Sequence, residues 1–418
     1  MKKKMNPKVT QMQPLFITHK YPPSIGGMEK QSYELIEGIS QEYNVKRIIY
    51  DGRTSRIKFF FSVIPNVKKI LRDNPGISFI HLNDGLMAVV GLLLKKITDI
   101  PIFVTLHGLD VVFPNKLFQK YIVSKFKNFD GLIPVSSSTA IECIKRGMDP
   151  EKIFTIRNGV EGNIGNIARQ DDFRKKLENQ LGISLKEKKI LVSIGRAVTR
   201  KGFSWFVENV MTVLDDEIIY LIIGAENHNN SKLHSILKYI PPSLSRQIRS
   251  LFAVEEDKPK IIDAIKRRNL EKRVFFLGIQ GFDSMIQILH HSDLFVMPNI
   301  KVSGDAEGFG LVALEAAVCG LPVAASKLEG ITDAIVNGRN GFLLEPGNAD
   351  AWINFITKSL SDPVSFRKFG EQAKKFTNDN YSWDKMVKEY IKVFKENTEK
   401  KNLRSEHVTE ADALSISA

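Results

Sequence analysis

Two glutamates, Glu307 and Glu315, stand seven residues apart and enclose Gly308-Phe309-Gly310, followed by an apolar run of strong helix formers. The pattern predicts a loop that ends near Gly310 and a helix that begins there. A helix N-terminus presents unpaired N–H groups and a positive dipole, which can hold a phosphate or a developing negative charge. The two carboxylates could accept hydrogen bonds from sugar or ribose hydroxyls. The same glutamates could instead serve only the helix, Glu307 by favouring its dipole and Glu315 as a solvated residue.

Arg196 and Lys201 form a second candidate set, together with the glycines beside them, Gly195 and Gly202. Gly195-Arg196 directly follows a predicted strand at residues 190–194, and ligands of parallel α/β sheets bind at the carboxyl ends of strands. Arg196 could bind the oxygens of a diphosphate in a fork, and Lys201 could add a point charge. A solvated turn would explain this pair by itself equally well.

Single residues at other predicted strand ends extend the candidate site. His107 could donate a hydrogen bond or act as an acid or base, although a lone histidine is more often structural. Asn158 would face a cleft, unless it only makes an Asn-Gly turn. Gly278 ends a strand whose backbone could contact a base, although a plain core strand explains its apolar side chains. Gly26-Gly27 lies in a turn-rich loop between a strand and a helix, where ligands bind.

The elements that must position these residues are short strands that alternate with helices, which indicates an α/β fold with mostly parallel sheets. The pattern G-x-G-x-x-G is absent, which argues against a dinucleotide dehydrogenase. Strands are predicted at residues 15–18, 45–50, 77–81, 101–105, 131–135, 153–156, 190–194, 217–223, 273–277, 294–297, 322–325 and 342–344. Helices are predicted at residues 28–39, 86–94, 351–376 and 383–395.

Shifts in composition divide the chain into two similar halves with a cleft between them. Residues 165–188 are polar and mark the crossing, residues 227–260 form an insertion, and the charged end from Glu396 predicts disorder. We therefore predict Rossmann-like domains at 1–170 and 171–365, C-terminal helices at 366–395 that pack back toward the first domain, and a disordered tail at 396–418.

The net charge of +13 favours anionic partners such as nucleotides, nucleic acid or acidic lipid. Cys143 and Cys319 have no CxxC or metal spacing and are predicted to be buried thiols in a reducing compartment. The start has no signal-peptide pattern, and the apolar run at 86–94 is too short to span a bilayer. We therefore expect a cytoplasmic protein.

Taken together and in this order, the motifs resemble family 4 of the retaining glycosyltransferases, whose architecture of two Rossmann-like domains is called GT-B. The resemblance covers about residues 12–395. Its most specific part is E-x7-E, written here from Glu307 to Glu315, followed by Cys319-Gly-Leu-Pro-Val and Asn340-Gly341-Phe342. Two features depart from the family pattern. Glu329-Gly330 stands where the family often has a Gly-Gly pair, and the insertion at 227–260 is longer than usual.

The resemblance implies a donor-binding set that lies mostly in the second domain. Arg196 and Lys201 would bind the nucleotide diphosphate, Glu315 the ribose hydroxyls, and Glu307 the donor sugar. The whole set consists of Gly26, Gly27, Gly195, Arg196, Lys201, Gly278, Glu307, Gly308, Phe309, Gly310, Leu311 and Glu315.

The resemblance also implies which residues act on the reaction. The catalytic set consists of His107, Glu307, Arg196 and Lys201, with His107 near the reacting carbon of the donor sugar. The set that faces the acceptor and the cleft consists of Gly26, Gly27, His107 and Asn158. No Asp-x-Asp lies at a strand end, and protein cations could stabilise a leaving diphosphate, so no metal or other cofactor is expected.

The implied activity is a retaining, hexosyltransferase-type transfer of a sugar from a nucleotide-diphosphate sugar to a sugar or lipid-linked acceptor, in bacterial surface polysaccharide or lipooligosaccharide biosynthesis. One alternative is a GT-B-like nucleotide-sugar epimerase, which would need no acceptor. Another is a basic nucleic-acid-binding protein, although no recognised module supports it. The residues leave open whether the nucleotide is UDP or GDP, as well as the acceptor, the linkage and the oligomeric state.

The stretch from Arg53 to Arg72 predicts contact with an anionic membrane face. Three consecutive phenylalanines, 59–61, cannot all face one core from a single helix, and several cations adjoin them. Pro65 is expected to start or kink any helix there. Residues 116–130 also combine aromatic residues with lysines on a predicted helix, although a helix that covers the sheet explains them slightly better.

Overall fold

The computed structural model describes residues 12–224 and 257–416, with side chains up to residue 399. The described chain divides into two compact units. The first contains the residues up to Val111, residues 120–156 and those from Trp383 onward. The second contains residues 112–119 and 157–382. Most of the insertion predicted at 227–260 lies outside the described residues.

Up to residue 156 strands and helices alternate. They are β1 (Pro14–Thr18), α1 (Gly27–Ser40), β2 (Lys46–Ile49), α2 (Arg56–Asp73), β3 (Phe79–Leu82), α3 (Gly85–Leu94), β4 (Ile102–Leu106), α4 (Leu109–Val112), α5 (Lys116–Tyr121), β5 (Gly131–Pro134) and α6 (Ser137–Lys145).

The same alternation continues beyond residue 156. The elements are α7 (Phe173–Leu181), β6 (Lys189–Ile194), α8 (Phe203–Phe206), β7 (Ile218–Ile223), α9 (Lys258–Arg267), β8 (Val274–Gly278), α10 (Phe282–His291), β9 (Leu294–Met297), α11 (Leu311–Val318), β10 (Val323–Ser326), α12 (Ile331–Ala334), β11 (Phe342–Leu344), α13 (Ala349–Ser361), α14 (Pro363–Asn380) and α15 (Trp383–Ile416).

The first unit contains a parallel sheet in the order β2-β1-β3-β4-β5. Every residue of β1, β3, β4 and β5 is buried, which is typical of a parallel sheet covered on both faces. The C-terminal helix α15 belongs to this core. Its Phe394 ring lies 4.2 Å from the ring of Phe79, and the hydroxyls of Tyr390 and Thr105 lie 2.9 Å apart.

The second unit contains a parallel sheet in the order β11-β10-β9-β6-β7-β8. Tyr220 of β7 is fully buried there, and its hydroxyl donates to Ser193 of β6 at 2.7 Å. Trp352 of α13 and Phe206 of α8 pack in the same core, with their rings 5.8 Å apart. The two sheets confirm the predicted fold class, α/β with two parallel-sheet domains.

The boundary between the units lies at residue 157, earlier than the predicted boundary at 170. Residues 153–156 form no strand and make only a single bridge, from Ile153 to Leu132. The next residues pack on the second unit. The N–H of Val160 donates to the carbonyl of Tyr381 at 3.0 Å, and Nζ of Lys374 donates to the carbonyl of Gly165 at 2.7 Å. These long-range bonds are not visible in local composition.

The C-terminal helices also differ from the prediction. The single helix expected at 351–376 is two helices, α13 and α14, because the chain restarts at Asp362, whose side chain caps Ser365. Helix α14 belongs to the second unit, whereas α15 belongs to the first. This helix continues to Ile416, which corrects the expected disorder from residue 396. Glu, Lys, Arg and Ala favour helices, so low hydrophobicity alone does not prevent one.

One smaller prediction is corrected, and another is narrowed to one alternative. Residues 116–130 form the short helix α5 and a separate 3-10 helix, Val123–Asn128, in which Phe126 is fully buried. Of the two alternatives predicted for Pro65, a helix start is excluded, because α2 runs through it, and a kink stays a prediction. Pro65 is exposed, on the side of α2 away from the core.

Candidate functional site

Three glycines lie side by side at the carboxyl ends of β6, β7 and β8. The N–H of Gly224 donates to the carbonyl of Gly278 at 3.0 Å, and a Cβ on Gly224 would lie 1.9 Å from the carbonyl oxygen of Gly195. No side chain could occupy that position. The backbone is therefore bare at the sheet edge where ligands of such folds bind. The structure brings together the predicted Gly195 and Gly278, and it adds Gly224.

Lys201 follows β6 at the end of a 3-10 turn, Thr199–Lys201. The chain then turns at Gly202, whose φ is +68°, and a Cβ there would lie 2.0 Å from the carbonyl oxygen of Pro298. This close approach places Lys201 beside the loop that follows β9. The side chain of Lys201 is almost completely buried, whereas Arg196 is exposed. The alternative of a solvated turn is therefore wrong for Lys201.

Glu307 is the partner of Lys201. Its Oε2 lies 2.6 Å from Nζ of Lys201 and accepts a hydrogen bond from Nδ2 of Asn299 at 3.1 Å. Nε of Arg200 lies 3.6 Å from the same oxygen, and Nη1 of Arg200 lies 3.4 Å from Oδ2 of Asp305. Two cations and two carboxylates thus form one partly buried network.

The network shifts the protonation of its members. Burial acts to raise the pKa of Glu307, but the charges of Lys201 and Arg200 outweigh it and lower that pKa to about 2. Burial lowers the pKa of Lys201, although the charge of Glu307 opposes this. Glu307 therefore remains a carboxylate at neutral pH and can accept hydroxyl hydrogen bonds.

The segment after Glu307 has the predicted loop-to-helix geometry. Gly310 has a φ of +96°, in the left-handed region that favours glycine, and α11 begins at Leu311 without a side-chain cap. Phe309 is buried. Glu315 is only 9 % exposed, which excludes the alternative of a solvated helix residue.

In the first unit His107 follows β4 and is held by two hydrogen bonds. Its N–H donates to Oδ2 of Asp110 at 2.8 Å, and its Nε2 lies 2.9 Å from the carbonyl oxygen of Asn83. Burial raises the pKa of Asp110, although the charge of His107 opposes this. The bond to Asp110 comes from the backbone, whereas the bond from Nε2 to Asn83 orients the ring, as for a positioned acid, base or donor.

A second histidine lies at the same sheet edge. His19 follows β1, is buried, and places Nδ1 3.1 Å from Oδ2 of Asp84, which follows β3. Burial acts to raise the pKa of Asp84, but its bond to His19 and the N–H of Met87 lower it. Asp84 also caps α3 by accepting from the N–H groups of Leu86 and Met87 at 2.9 Å.

The other predicted residues have simpler positions. Gly27 is the first residue of α1 and Gly26 is its cap, which has no side chain to offer. Asn158 is buried but belongs to the second unit, not to the first domain as predicted. Its Oδ1 has no hydrogen-bond partner among the described residues.

Sequence reasoning missed several polar residues that the structure places in these two clusters. A signal existed for His19, which directly follows β1, and for Asp84, which lies two residues after β3. Arg200, Asp305 and Asn299 lie in loops whose course cannot be read locally. The missed residues are His19, Asn83, Asp84, Asp110, Arg200, Asn299, Asp305 and Glu329.

Within the described residues, no group of three or more His, Cys, Asp and Glu side chains is placed to hold a metal ion. The predicted independence from metals stays a prediction. Over the same part of the chain, no helix combines the length and the apolar character needed to cross a membrane.

Comparison with known proteins agrees with this architecture. The family model for glycosyl transferases group 1 matches residues 173–376, and that for glycosyltransferase family 4 matches residues 25–162. An uncharacterised glycosyltransferase of Methanocaldococcus jannaschii is 24 % identical over 88 % of this chain and 87 % of that protein. The UDP-Gal:α-D-GlcNAc-diphosphoundecaprenol α-1,3-galactosyltransferase of Escherichia coli is 25 % identical over 74 % of this chain and 73 % of that protein.

Solved structures show the same fold. The crystal structure of Anabaena HepE in complex with UDP-glucose matches with a TM-score of 0.70 and 20 % identity, over 92 % of this chain and 100 % of that one. The fold is thus that of the GT-B glycosyltransferases. The chain belongs to the group 1 glycosyltransferases of the family 4 type.

Proposed function

We propose that this glycosyltransferase retains anomeric configuration and moves a hexose-type sugar from a nucleotide-diphosphate sugar to a sugar or lipid-linked acceptor. The proposed pathway is bacterial surface polysaccharide or lipooligosaccharide biosynthesis. The relatives support these choices, because HepE is described with UDP-glucose and the E. coli relative is named for a diphosphoundecaprenol-linked acceptor.

The observation that carries the proposal is the partly buried network of Lys201, Arg200 and Glu307 beside the start of α11. A nucleotide sugar leaves as a diphosphate, so the chemical step requires stabilisation of negative charge on the leaving oxygen. Lys201, Arg196 and the uncapped helix N-terminus would supply that stabilisation without a metal ion. Glu307, ionised and aligned by Asn299, would accept from the sugar hydroxyls.

In the proposed mechanism the leaving phosphate helps to remove the proton from the acceptor hydroxyl, and no carboxylate acts as a nucleophile. Glu315 would bind the ribose, and the backbone of residues 309–311 would contact the sugar. The role proposed for His107 is contact with the donor sugar near the reacting carbon. Within its own unit, the bond from Nε2 of His107 to the carbonyl of Asn83 would hold the ring in one orientation, while the bond to Asp110 holds the backbone.

The test is a thermal-shift screen followed by a transfer assay. UDP, GDP, UDP-glucose, UDP-N-acetylglucosamine and GDP-mannose are each added to the wild-type protein. Binding at a hundredfold excess over Kd adds about 2.7 kcal/mol to the free energy of unfolding, so one series should raise Tm clearly. Absence of a shift with every compound would reject the proposal. With the nucleotide sugar that binds, sugar conversion without an added acceptor would indicate an epimerase instead.

We further propose that α2 docks the protein on an anionic membrane face, where a lipid-linked acceptor would be reached. Phe59 is buried, whereas Phe61 is 80 % and Ile57 70 % exposed. At about 100° per residue, Ile57, Phe61, Lys68 and Arg72 share one face of the helix. Exposed apolar residues flanked by cations are suited to an acidic lipid surface. The cytoplasmic side is proposed because Cys143 and Cys319 are free thiols.

A further inference from the structure

Glu329 has an unusual backbone conformation for its residue type. It lies in the turn between β10 and α12 with a φ of +48°, in the left-handed region that is costly for residues other than glycine. Glu187 and Asn269 also have positive φ, but both are exposed. Glu329 is half-buried and bonded to another loop. Strain of this kind is often retained where a side chain has a function.

The turn that contains Glu329 is bonded to Glu307 in both directions. The N–H of Glu307 donates to Oε2 of Glu329 at 2.6 Å, and the N–H of Gly330 donates to the carbonyl of Glu307 at 3.2 Å. A Cβ on Gly330 would lie 1.9 Å from the carbonyl oxygen of Gly308. The two loops therefore touch through their backbones, and the Glu329 carboxyl is held beside Glu307.

The groups around Glu307 are rich in hydrogen-bond acceptors. Asn299 is almost fully buried, and while its Nδ2 donates to Glu307, its Oδ1 has no hydrogen-bond partner among the described residues. Asp305 and Glu329 contribute further carboxyl oxygens, while the nearby cations Lys201 and Arg200 are already paired with acids. Such surroundings suit hydroxyl donors and oppose an additional carboxylate.

We infer that Glu329 is a specificity-determining residue that makes the donor site accept a neutral, hydroxyl-rich sugar and reject a sugar that carries a carboxylate. The inference rests on the proposed function, because it takes Glu307 as the residue that holds the donor sugar. A uronic acid placed at Glu307 would meet the carboxyls of Glu329 and Asp305 as well. Like charges brought together at a binding site weaken binding by about tenfold or more.

The protonation of Glu329 makes the inference testable by pH. The pKa of Glu329 is raised to about 7, chiefly because the carboxyl is buried. The charges of Glu307 and Asp305 raise this pKa further, whereas the hydrogen bond from the N–H of Glu307 lowers it. The charged groups that face Glu329 are Asp305, Glu307 and Arg200. Glu307 stays ionised above pH 4. Rejection of an anionic sugar is therefore expected to grow as pH rises from 6 to 8.

The experiment is calorimetric titration with UDP, UDP-glucose and UDP-glucuronate, which differ only in the sugar or in the oxidation of its C6. If the thermal screen selects the guanosine series, GDP, GDP-mannose and GDP-mannuronate are used. The variants are Glu329→Gln, which keeps the size, and Glu329→Gly, which suits the left-handed backbone and is expected to fold. Glu187→Gln and Glu187→Gly are matched controls, because Glu187 has the same backbone class but is exposed.

The wild-type protein is expected to prefer UDP-glucose over UDP-glucuronate by about tenfold or more at pH 8, and less at pH 6. Both Glu329 variants should reduce that preference and abolish its pH dependence, while the Glu187 variants keep it. Affinity for UDP alone should change little in any variant. A purely structural role of Glu329 would alter affinities without altering the preference or its pH dependence.

The outcomes separate the two proposals. If all proteins bind UDP but the preference is the same in wild type and both Glu329 variants, the inference about Glu329 is wrong and the proposed function stands. A preference that does not change with pH in the wild type would equally contradict the inference. If the wild type binds no nucleotide diphosphate of either series, the proposed function fails and the inference with it.

Discussion

Nζ of Lys201 lies 2.6 Å from Oε2 of Glu307, and both side chains are almost entirely shielded from solvent. The cation expected to bind a diphosphate is thus paired with the acid expected to bind a sugar. Removing one member of a buried pair leaves the other charge without compensation, which typically costs more than removing both. This relationship connects the stability of the second unit to its proposed chemistry.

The Lys201–Glu307 pair predicts that Lys201 and Arg196, the two residues proposed to bind the diphosphate, respond differently to substitution. Lys201→Ala should lower the free energy of unfolding by about 3 kcal/mol, because the largely buried Glu307 loses its nearest cation and keeps only Arg200 at 3.6 Å, whereas exposed Arg196→Ala should leave it nearly unchanged. Both should weaken binding of the diphosphate, each by about 1.5–3 kcal/mol. Urea unfolding and calorimetric titration measure the two effects.

A double variant separates stability from binding in this prediction. Lys201→Met combined with Glu307→Gln removes both charges, so stability should partly recover while diphosphate binding stays weak. Unchanged diphosphate affinity in both single variants would contradict the proposed role of the two cations.

The two glutamates of the E-x7-E segment should have separable roles. Glu315→Gln should weaken binding of the bare nucleotide diphosphate, because Glu315 is the residue proposed to accept from ribose. Glu307→Gln should largely spare the bare nucleotide and impair binding of the nucleotide sugar or its transfer. Titration of both variants with each ligand tests the division. Equal losses of bare nucleotide affinity would show that the roles are wrongly assigned.

Transfer activity should survive treatment with EDTA, because Arg196, Lys201 and the start of α11 are proposed to stabilise the leaving diphosphate. The measurement is sugar transfer before and after chelation, with a manganese-dependent transferase as a control for complete removal of metal. Loss of turnover that manganese or magnesium restores would reject metal independence.

Docking through α2 predicts binding to acidic vesicles alone. Each cation near an acidic surface contributes about 1 kcal/mol, so Lys58, Lys68 and Lys69 changed together to Glu should abolish co-sedimentation. Ile57 and Phe61 changed together to Ser should weaken it at moderate salt, where insertion matters more than charge. The matched control changes three exposed cations of the second unit to Glu: Lys175, Lys186 and Lys272.

The result of the vesicle experiment is decisive in either direction. Binding that ignores lipid charge, or full binding by the Lys58, Lys68 and Lys69 variant, would leave α2 without a role at a membrane. Loss of binding in the control variant as well would show that net charge alone attracts the protein to acidic lipid.

The fully buried His81 of the first unit predicts how stability changes with pH. Burial lowers the pKa of His81 to about 3, and its Nε2 lies 3.0 Å from Oγ1 of Thr105. The unfolded chain binds a proton at His81 below pH 6.5, whereas the folded chain does not until about pH 3. The contribution of His81 is therefore fully present above pH 6.5 and declines as pH falls.

The variant that isolates this effect is His81→Leu, which cannot be protonated. As pH falls from 7.5 to 5, the free energy of unfolding of the wild type should decrease relative to that of the variant, as measured by urea unfolding. A difference that is constant over this range would contradict the lowered pKa. Thr105 keeps a hydroxyl partner in the variant, because Tyr390 lies 2.9 Å away.

The sequence by itself determined the elements whose signals are local. Alternating apolar strands and helices predicted both parallel sheets, and the glycines before Leu311 predicted the start of α11 within one residue. These signals are local because side-chain periodicity and turn chemistry act between neighbours in the chain. The resemblance to the family depended on the same kind of local signal, because each motif is a loop that follows the end of a strand.

Only the tertiary structure decided which side chains meet. Arg200 and Asp305 are about a hundred residues apart, and Glu307 and Glu329 belong to different loops. The assignment of Asn158 to the second unit and of α15 to the first also depends on contacts between distant segments. From the neighbouring sequence alone, a charged residue in a loop is predicted to be exposed to solvent. Its burial and partners follow from how the sheets bring remote loops to one edge, which local sequence does not encode.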